Sequence, residues 1–103
     1  MGLKEEFTQA LDGTVEAAKS RGYIPTSFMQ MLSNHGGVET AKRLLATSEP
    51  QKGLFELWNL GILHDSMEAV ICDNPRFQPL LEAAEITEAH RRLEELNYFK
   101  KGK

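Results

Sequence analysis

The sequence predicts an all-α fold, a single compact bundle of five or six short helices that is not a coiled coil. Apolar residues recur every three or four positions along almost the whole chain, and no segment alternates with a period of two. Glycine, proline and small polar residues divide these stretches into short segments with short connections, as in helical bundles. The 103 residues contain no internal repeat, which predicts one domain over 1–103 with frayed ends at 1–2 and 100–103.

The first helix is predicted from apolar residues spaced three or four positions apart: Leu3, Phe7, Leu11, Val15 and Ala18. The pair Asp12-Gly13 marks a hairpin only between alternating strands, and its flanks are helical. One helix with a weak centre is therefore expected. Gly22 suits the left-handed residue that ends many helices, and Ile24-Pro25 then imposes extended backbone.

Two further helices are predicted between Pro25 and Leu45. Thr26 or Ser27 is expected to cap the first of them, which ends in the sequence Asn34-His35-Gly36-Gly37. The second is expected to direct four apolar residues inward: Val38, Ala41, Leu44 and Leu45.

The fourth helix is predicted to begin with a capping box, Ser48-Glu49-Pro50-Gln51, and to run to about Leu60, where Gly61 closes it. Its inward face is expected to carry Leu54, Leu57 and Trp58. Trp58, the only tryptophan of the chain, is thus predicted to be a core anchor.

Another helix is predicted to start at Asp65, with Glu68 at the reciprocal capping position, and to stop at Asp73-Asn74-Pro75. An irregular connection is expected over 74–82. The last helix is predicted from about Ala83 to Tyr98, with an inward stripe of Ile86, Ala89, Leu93 and Leu96.

The composition bears on several functional classes. Apolar residues make up 41% and charged residues 26%, which are ordinary values for a globular chain. A formal net charge of −3 argues against binding driven by the charge of nucleic acid or of an anionic membrane. No apolar stretch approaches the roughly 20 residues that span a bilayer, and the charged N-terminus does not resemble a secretion signal. With a single cysteine, a cytoplasmic location is expected.

No pattern of residues predicts catalysis, a metal or a cofactor, and the protein is expected not to be an enzyme. His35, His64 and His90 are isolated in the sequence, whereas a zinc site needs three or four converging ligands. Cys72 lies at the C-terminal end of its helix beside Asp73, and both features raise the pKa of a thiol. An inert structural cysteine is therefore expected.

Residues 54–63 contain more apolar side chains than one side of a three-turn helix buries. Phe55 and Ile62 lie off the inward stripe. They are expected either to pack under the 74–82 connection or to form an exposed patch for a protein partner or a second copy of the chain. The leading hypothesis is a protein–protein interaction module with the contact residues Phe55, Trp58, Ile62, Leu63 and Phe77.

A helix-turn-helix over residues 38–60 is the alternative hypothesis, in which the protein binds nucleic acid. A recognition helix needs exposed polar side chains near its N-terminus to reach base edges, but here the chain offers few of them before it becomes apolar. The candidate nucleic-acid contacts are Lys42, Arg43, Gln51 and Lys52.

Residues 21–96 resemble a small bacterial helical domain of uncharacterised function, found alone or attached to predicted nuclease or defence-related proteins. The resemblance lies in RGYIPTSFMQML, GGVETAKRLL, GLFELWNLGIL, SMEAVI, PRFQPLL and EAHRRLEEL. Members of that family usually have Gly-Arg-Leu-Asp after the tryptophan helix, where this chain has Gly61-Ile62-Leu63-His64. The resemblance implies a helical fold and a partner in a bacterial or phage defence context, and it assigns no functional residue.

Overall fold

The computed structural model of the protein describes residues 2–47 and 52–99, and within these ranges it contains helices and no strand. Its α-helices are α1 (Leu3–Ser20), α2 (Thr26–Ala46), α3 (Lys52–Asn59), α4 (Met67–Asp73) and α5 (Ala83–Glu95). Short 3-10 helices at Leu63–Asp65 and Pro75–Leu80 connect them. The predicted all-α fold class is confirmed. The capping box at 48–51 and the frayed ends, apart from Gly2, lie outside the described residues.

Helix α2 shows why the sequence predicted two helices between Pro25 and Leu45. Its backbone departs from helical geometry at Gly36, with φ 78° and ψ 172°, and the helix kinks there. Only glycine adopts such a conformation without strain. The predicted cap at Thr26 or Ser27 is wrong: α2 begins at Thr26 with no side-chain cap, and the Thr26 hydroxyl donates to the Ile24 carbonyl at 3.5 Å.

The C-terminal ends of α1 and α3 follow the sequence signals. Helix α1 runs unbroken through Gly13, and beyond its end Gly22 takes the left-handed conformation with φ 89°. Gly61, after α3, has φ 76°. The backbone N–H of Gly61 donates to Trp58 and that of Ile62 donates to Leu57, each at 3.0 Å, which closes the helix.

Helix α4 starts two residues later than predicted. Asp65 belongs to the 3-10 turn Leu63–Asp65, and Ser66 caps α4 instead, because its hydroxyl accepts from the backbone N–H of Ala69 at 3.1 Å. The helix stops at Asp73, as predicted. Helix α5 ends at Glu95 rather than Tyr98, and the chain leaves it through Asn97 in the left-handed conformation, with φ 61°.

The core consists of two apolar clusters. The larger one joins α1, α2, α4, α5 and the second 3-10 helix around Phe7, Leu11, Ile71 and Phe77. The smaller one contains Leu54, Leu63, Ala69 and Leu93, with Tyr98 and Phe99 packed against it. In the described part of the chain, no helix is both long enough and apolar enough to cross a membrane.

Candidate functional site

Helix α3 presents two neighbouring aromatic side chains to solvent. Phe55 is 43% exposed and Trp58 is 49% exposed, values well above those of the buried apolar residues of the core. Residues three apart lie side by side on a helix surface, so the two rings occupy one face of α3. Monomeric proteins rarely expose large contiguous apolar patches, and such patches often mark interaction sites.

The exposure of Trp58 corrects the prediction that this residue anchors the core. Leu54 is the buried residue of α3, and Leu57 is half-buried. Because each residue turns a helix by about 100°, an inner face centred between Leu54 and Leu57 leaves Trp58 at its edge. The periodicity of apolar residues identified the helix but misplaced its inner face by part of a turn.

Three of the predicted contact residues lie in the interior, which corrects that part of the hypothesis. Ile62 is 5% exposed, Leu63 8% and Phe77 2%. The chain reverses at Gly61, so the two residues after it point inward. Phe77 packs edge-on against Phe7, with ring centroids 5.2 Å apart. Of the predicted partner-binding residues, only Phe55 and Trp58 are available on the surface.

The basic residues of the nucleic-acid alternative do not form a free positive patch. The Lys42 Nζ atom lies 3.0 Å from a Glu85 carboxylate oxygen, and the Arg43 Nε atom lies 3.0 Å from Glu39. Lys52 is exposed at the start of α3. Gln51 lies outside the described residues.

The other side of α3 covers a cavity of about 370 Å³. Residues of α1, α2 and α3 line it, together with Ser66 and the first two residues of α4, Met67 and Glu68. Its described lining is mainly apolar and includes five hydroxyl-bearing residues, Thr14, Tyr23, Thr26, Ser27 and Ser66. The volume is within the range of small-molecule sites, which span about 300–1,000 Å³.

Glu68 is buried beside this cavity and pairs with Arg92 of α5. The Arg92 Nη1 atom lies 3.2 Å from a Glu68 carboxylate oxygen, and the exposed fractions of the two residues are 4% and 5%. Burial raises the pKa of Glu68, and Arg92 opposes that effect. Arg92 also donates to the Leu44 and Thr47 carbonyls and to Glu88, so four of its five N–H donors have protein partners.

Sequence reasoning missed this buried pair, although a signal for it exists. Arg92 lies between Ala89 and Leu96 at helical spacing, and Glu68 lies between Met67 and Ile71. Both positions are on inward stripes, where a charged residue is rare unless it has a partner. Arg92 is a structural link, because it bonds to Glu88 in its own helix, to Glu68 in α4 and to the carbonyls of Leu44 and Thr47 at the end of α2.

Cys72 and His64 are not arranged for catalysis. Burial, followed by the charges of Asp73 and Glu68, raises the pKa of the Cys72 thiol to about 11, which agrees with the direction expected from the sequence. The thiol is therefore protonated and weakly nucleophilic at neutral pH. The His64 side chain is exposed, and its Nε2 atom lies 3.2 Å from Asp65.

Comparison of the chain with protein-family models, curated proteins and solved structures gives no match. In the part of the chain that the structure describes, no three His, Cys, Asp or Glu residues are grouped so that they could hold a metal ion. The family resemblance of residues 21–96 stays a prediction, and the function is argued from the geometry of α3.

Proposed function

We propose that the protein is a non-catalytic binding protein whose α3 helix inserts Phe55 and Trp58 into an apolar groove on a protein partner. The observation that carries the proposal is the joint exposure of these two aromatic residues on one face of a short helix. Aromatic residues supply much of the energy at protein interfaces, and an apolar helix face in a groove is a common recognition mode.

The packing of α3 supports this role. Leu54 holds the inner side of the helix against Leu63 and Leu93, so Phe55 and Trp58 are presented from an ordered element. A helix that is already formed loses less conformational entropy on binding than a disordered segment does. The high pKa of the Cys72 thiol agrees with a non-enzymatic role.

The nucleic-acid alternative, with residues 38–60 as a helix-turn-helix, is the weaker proposal. Lys42 and Arg43 already pair with carboxylates, and the outward face of α3 presents aromatic rings where a recognition helix needs polar side chains. Binding to duplex DNA that falls steeply with salt concentration would favour this alternative over a protein partner.

The biological setting is proposed from the resemblance of residues 21–96 to the bacterial domain. We expect the partner to be a cytoplasmic protein of a bacterial or phage defence system, because members of that family accompany nuclease or defence-related proteins. The genes beside the one that encodes this chain test this expectation. Neighbours that belong only to metabolism or translation would contradict it.

The substitutions Phe55→Asp and Trp58→Asp test the proposed surface. Each should weaken binding of the partner by about 30-fold or more, the effect of losing an interface residue worth about 2 kcal/mol. Proteins cross-linked to the native chain in its own cells are compared with those cross-linked to each variant. A protein that is cross-linked to the native chain but not to the variants is then purified. The dissociation constants of its complexes with the native chain and with each variant are measured by calorimetry.

Two further variants control this experiment. Ile24→Asp places a charge at another exposed apolar residue, outside α3, and should leave partner binding unchanged. Ile62→Asp should unfold the chain, because Ile62 is buried, and circular dichroism reports that loss. A partner that binds both α3 variants as tightly as the native chain would contradict the proposal. A dimer of this chain that both α3 variants abolish would identify a second copy as the occupant and contradict a different protein partner.

A further inference from the structure

The cavity behind α3 has the size of a small-molecule site. Its volume of about 370 Å³ lies within the range of about 300–1,000 Å³ that such sites span. Eight of its lining residues are apolar side chains from four helices: Val15, Ala18, Phe28, Met31, Leu44, Leu54, Leu57 and Met67. Water fills such an apolar space poorly because it finds few hydrogen-bond partners there.

The polar groups in the inner wall of the cavity already have partners within the protein. The Thr14 hydroxyl donates to the Leu11 carbonyl, the Ser66 hydroxyl accepts from the Ala69 N–H, and Glu68 pairs with Arg92. Thr26 and Ser27 line the cavity and are exposed, so they mark the side that faces solvent. The Tyr23 hydroxyl lies near Gly53, where an added Cβ atom would be 3.4 Å from it. A bound molecule would therefore meet hydroxyl groups at one end and apolar side chains along the rest of its length.

The charges around the cavity offset each other. Lys52 is at the exposed side of the cavity, and Glu56 follows it by one helical turn. Burial raises the pKa of Tyr23, and the negative charge of Glu56 raises it further. Glu68 in the wall is paired with Arg92 at 3.2 Å. An ionic group entering the cavity would lose hydration and find no excess of the opposite charge.

We infer that this cavity binds a neutral, largely aliphatic molecule with one hydrogen-bonding end group. A chain of about ten carbons with a hydroxyl end is a ligand of this class that is small enough for a site of this volume. The aliphatic chain lies among the side chains of α1, α2 and α3, and the end group bonds to the hydroxyls of Tyr23, Thr26 or Ser27. This site is on the opposite side of α3 from Phe55 and Trp58.

Three probes of equal chain length test the inference: decan-1-ol, decanoate and decylammonium. Each probe is titrated into the isotope-labelled native protein at concentrations below those at which the probe aggregates, and the methyl and aromatic resonances of the protein are followed by NMR. Decan-1-ol should shift the resonances of Ala18, Met31 and Leu44, and its dissociation constant should be at least about tenfold lower than that of either ion. Equal or tighter binding of an ion would overturn the inference.

Variants locate the binding site. Ala18→Leu and Met31→Trp place additional atoms in the cavity and should weaken decan-1-ol binding by about tenfold or more. Phe55→Ala alters the outer face of α3 and should leave decan-1-ol binding unchanged. Unchanged binding in a folded cavity-filling variant would overturn the inference. Resonance shifts of the native protein that are confined to Phe55 and Trp58 would also overturn the inference. So would the absence of any shift. If both cavity-filling variants fail to fold, the inference is tested by the native protein alone, from the positions of its shifted resonances and from the order of the three dissociation constants.

Discussion

At the scale of single residues, the buried pair of Glu68 and Arg92 has the largest predicted effect on stability. Arg92 joins α5 to α4 through Glu68 and to the end of α2 through the Leu44 and Thr47 carbonyls. A buried ion pair adds little net stability by itself, because both charges lose their hydration. Removing one partner costs far more, since the other charge is left buried without compensation.

We therefore predict that Arg92→Met lowers the free energy of unfolding by about 3–5 kcal/mol at neutral pH. Without Arg92, the pKa of Glu68 in the folded state lies further above its value in the unfolded state than it does in the native protein. Between these two pKa values, Glu68 is protonated in the folded state and ionised in the unfolded state. Stability is then highest below the unfolded pKa and falls as pH rises through the folded pKa. Urea unfolding measured at several pH values checks both the loss and its partial recovery in acid.

Arg91 provides the matched control for this prediction. It neighbours Arg92 in α5 and also pairs with Glu88, but its side chain is exposed. Arg91→Met should change the free energy of unfolding much less than Arg92→Met, because water solvates the remaining carboxylate. Equal losses in the two variants would show that burial of Glu68 is not the cause.

At the scale of elements, the contact of α1 with α2 depends on a glycine. A Cβ atom added at Gly37 would lie 2.9 Å from the Thr8 Cα atom and 2.8 Å from its hydroxyl oxygen. The Gly37 backbone N–H donates to that hydroxyl at 2.9 Å. The two helices approach so closely that a side chain at this position cannot be accommodated without moving one of them.

We predict that Gly37→Ala destabilises the protein by about 1–3 kcal/mol, the usual cost of overpacking a close contact. Gly13→Ala is the opposite case. Nothing lies within 4 Å of an added Cβ atom there, and Gly13 is inside α1, so the change should stabilise by about 0.5–1 kcal/mol. Thermal unfolding measures the stability of both variants relative to the native protein. A Gly37→Ala protein that is more stable than the native one would contradict the close approach of α1 and α2 at this position.

These helices also show which features the periodicity of apolar residues predicts and which it does not. It identified α1, both segments of α2, α3 and α5, because a helix repeats every 3.6 residues whatever it packs against. It placed Trp58 on the inward face, which the structure reverses, and it left open whether Ile62 is covered or exposed, whereas the structure shows that Ile62 is buried. On a helix as short as α3, a shift of one residue in the inner face exchanges a buried side chain for an exposed one.

At the scale of the whole molecule, α3 is attached less extensively than the other helices. It packs mainly against the 3-10 helix Leu63–Asp65, whereas α1 packs along α2, and α4 packs along α5. Among the residues of α3, all of which are described, only Leu54 is buried. The helix thus separates the cavity on one side from the exposed aromatic residues on the other.

We predict that the backbone amides of α3 exchange with solvent at least about tenfold faster than those in the middle of α1 and α4. Local opening costs less free energy where fewer apolar contacts must be broken. Hydrogen exchange followed by NMR measures this directly. Equal protection of α3 and α1 would mean that α3 opens only when the whole protein unfolds, in contrast to its limited packing.

The sequence by itself determined the fold class, the helical segments and several of their ends. These features depend on neighbours within a few residues, such as Gly22, Gly36 and Gly61, whose positive φ angles end or bend the helices. Only the tertiary structure decided that Phe55 and Trp58 are exposed while Ile62 is buried, that Glu68 meets Arg92, and that a cavity lies behind α3. Burial and pairing depend on residues far apart in the chain, and the local pattern does not specify which faces they cover.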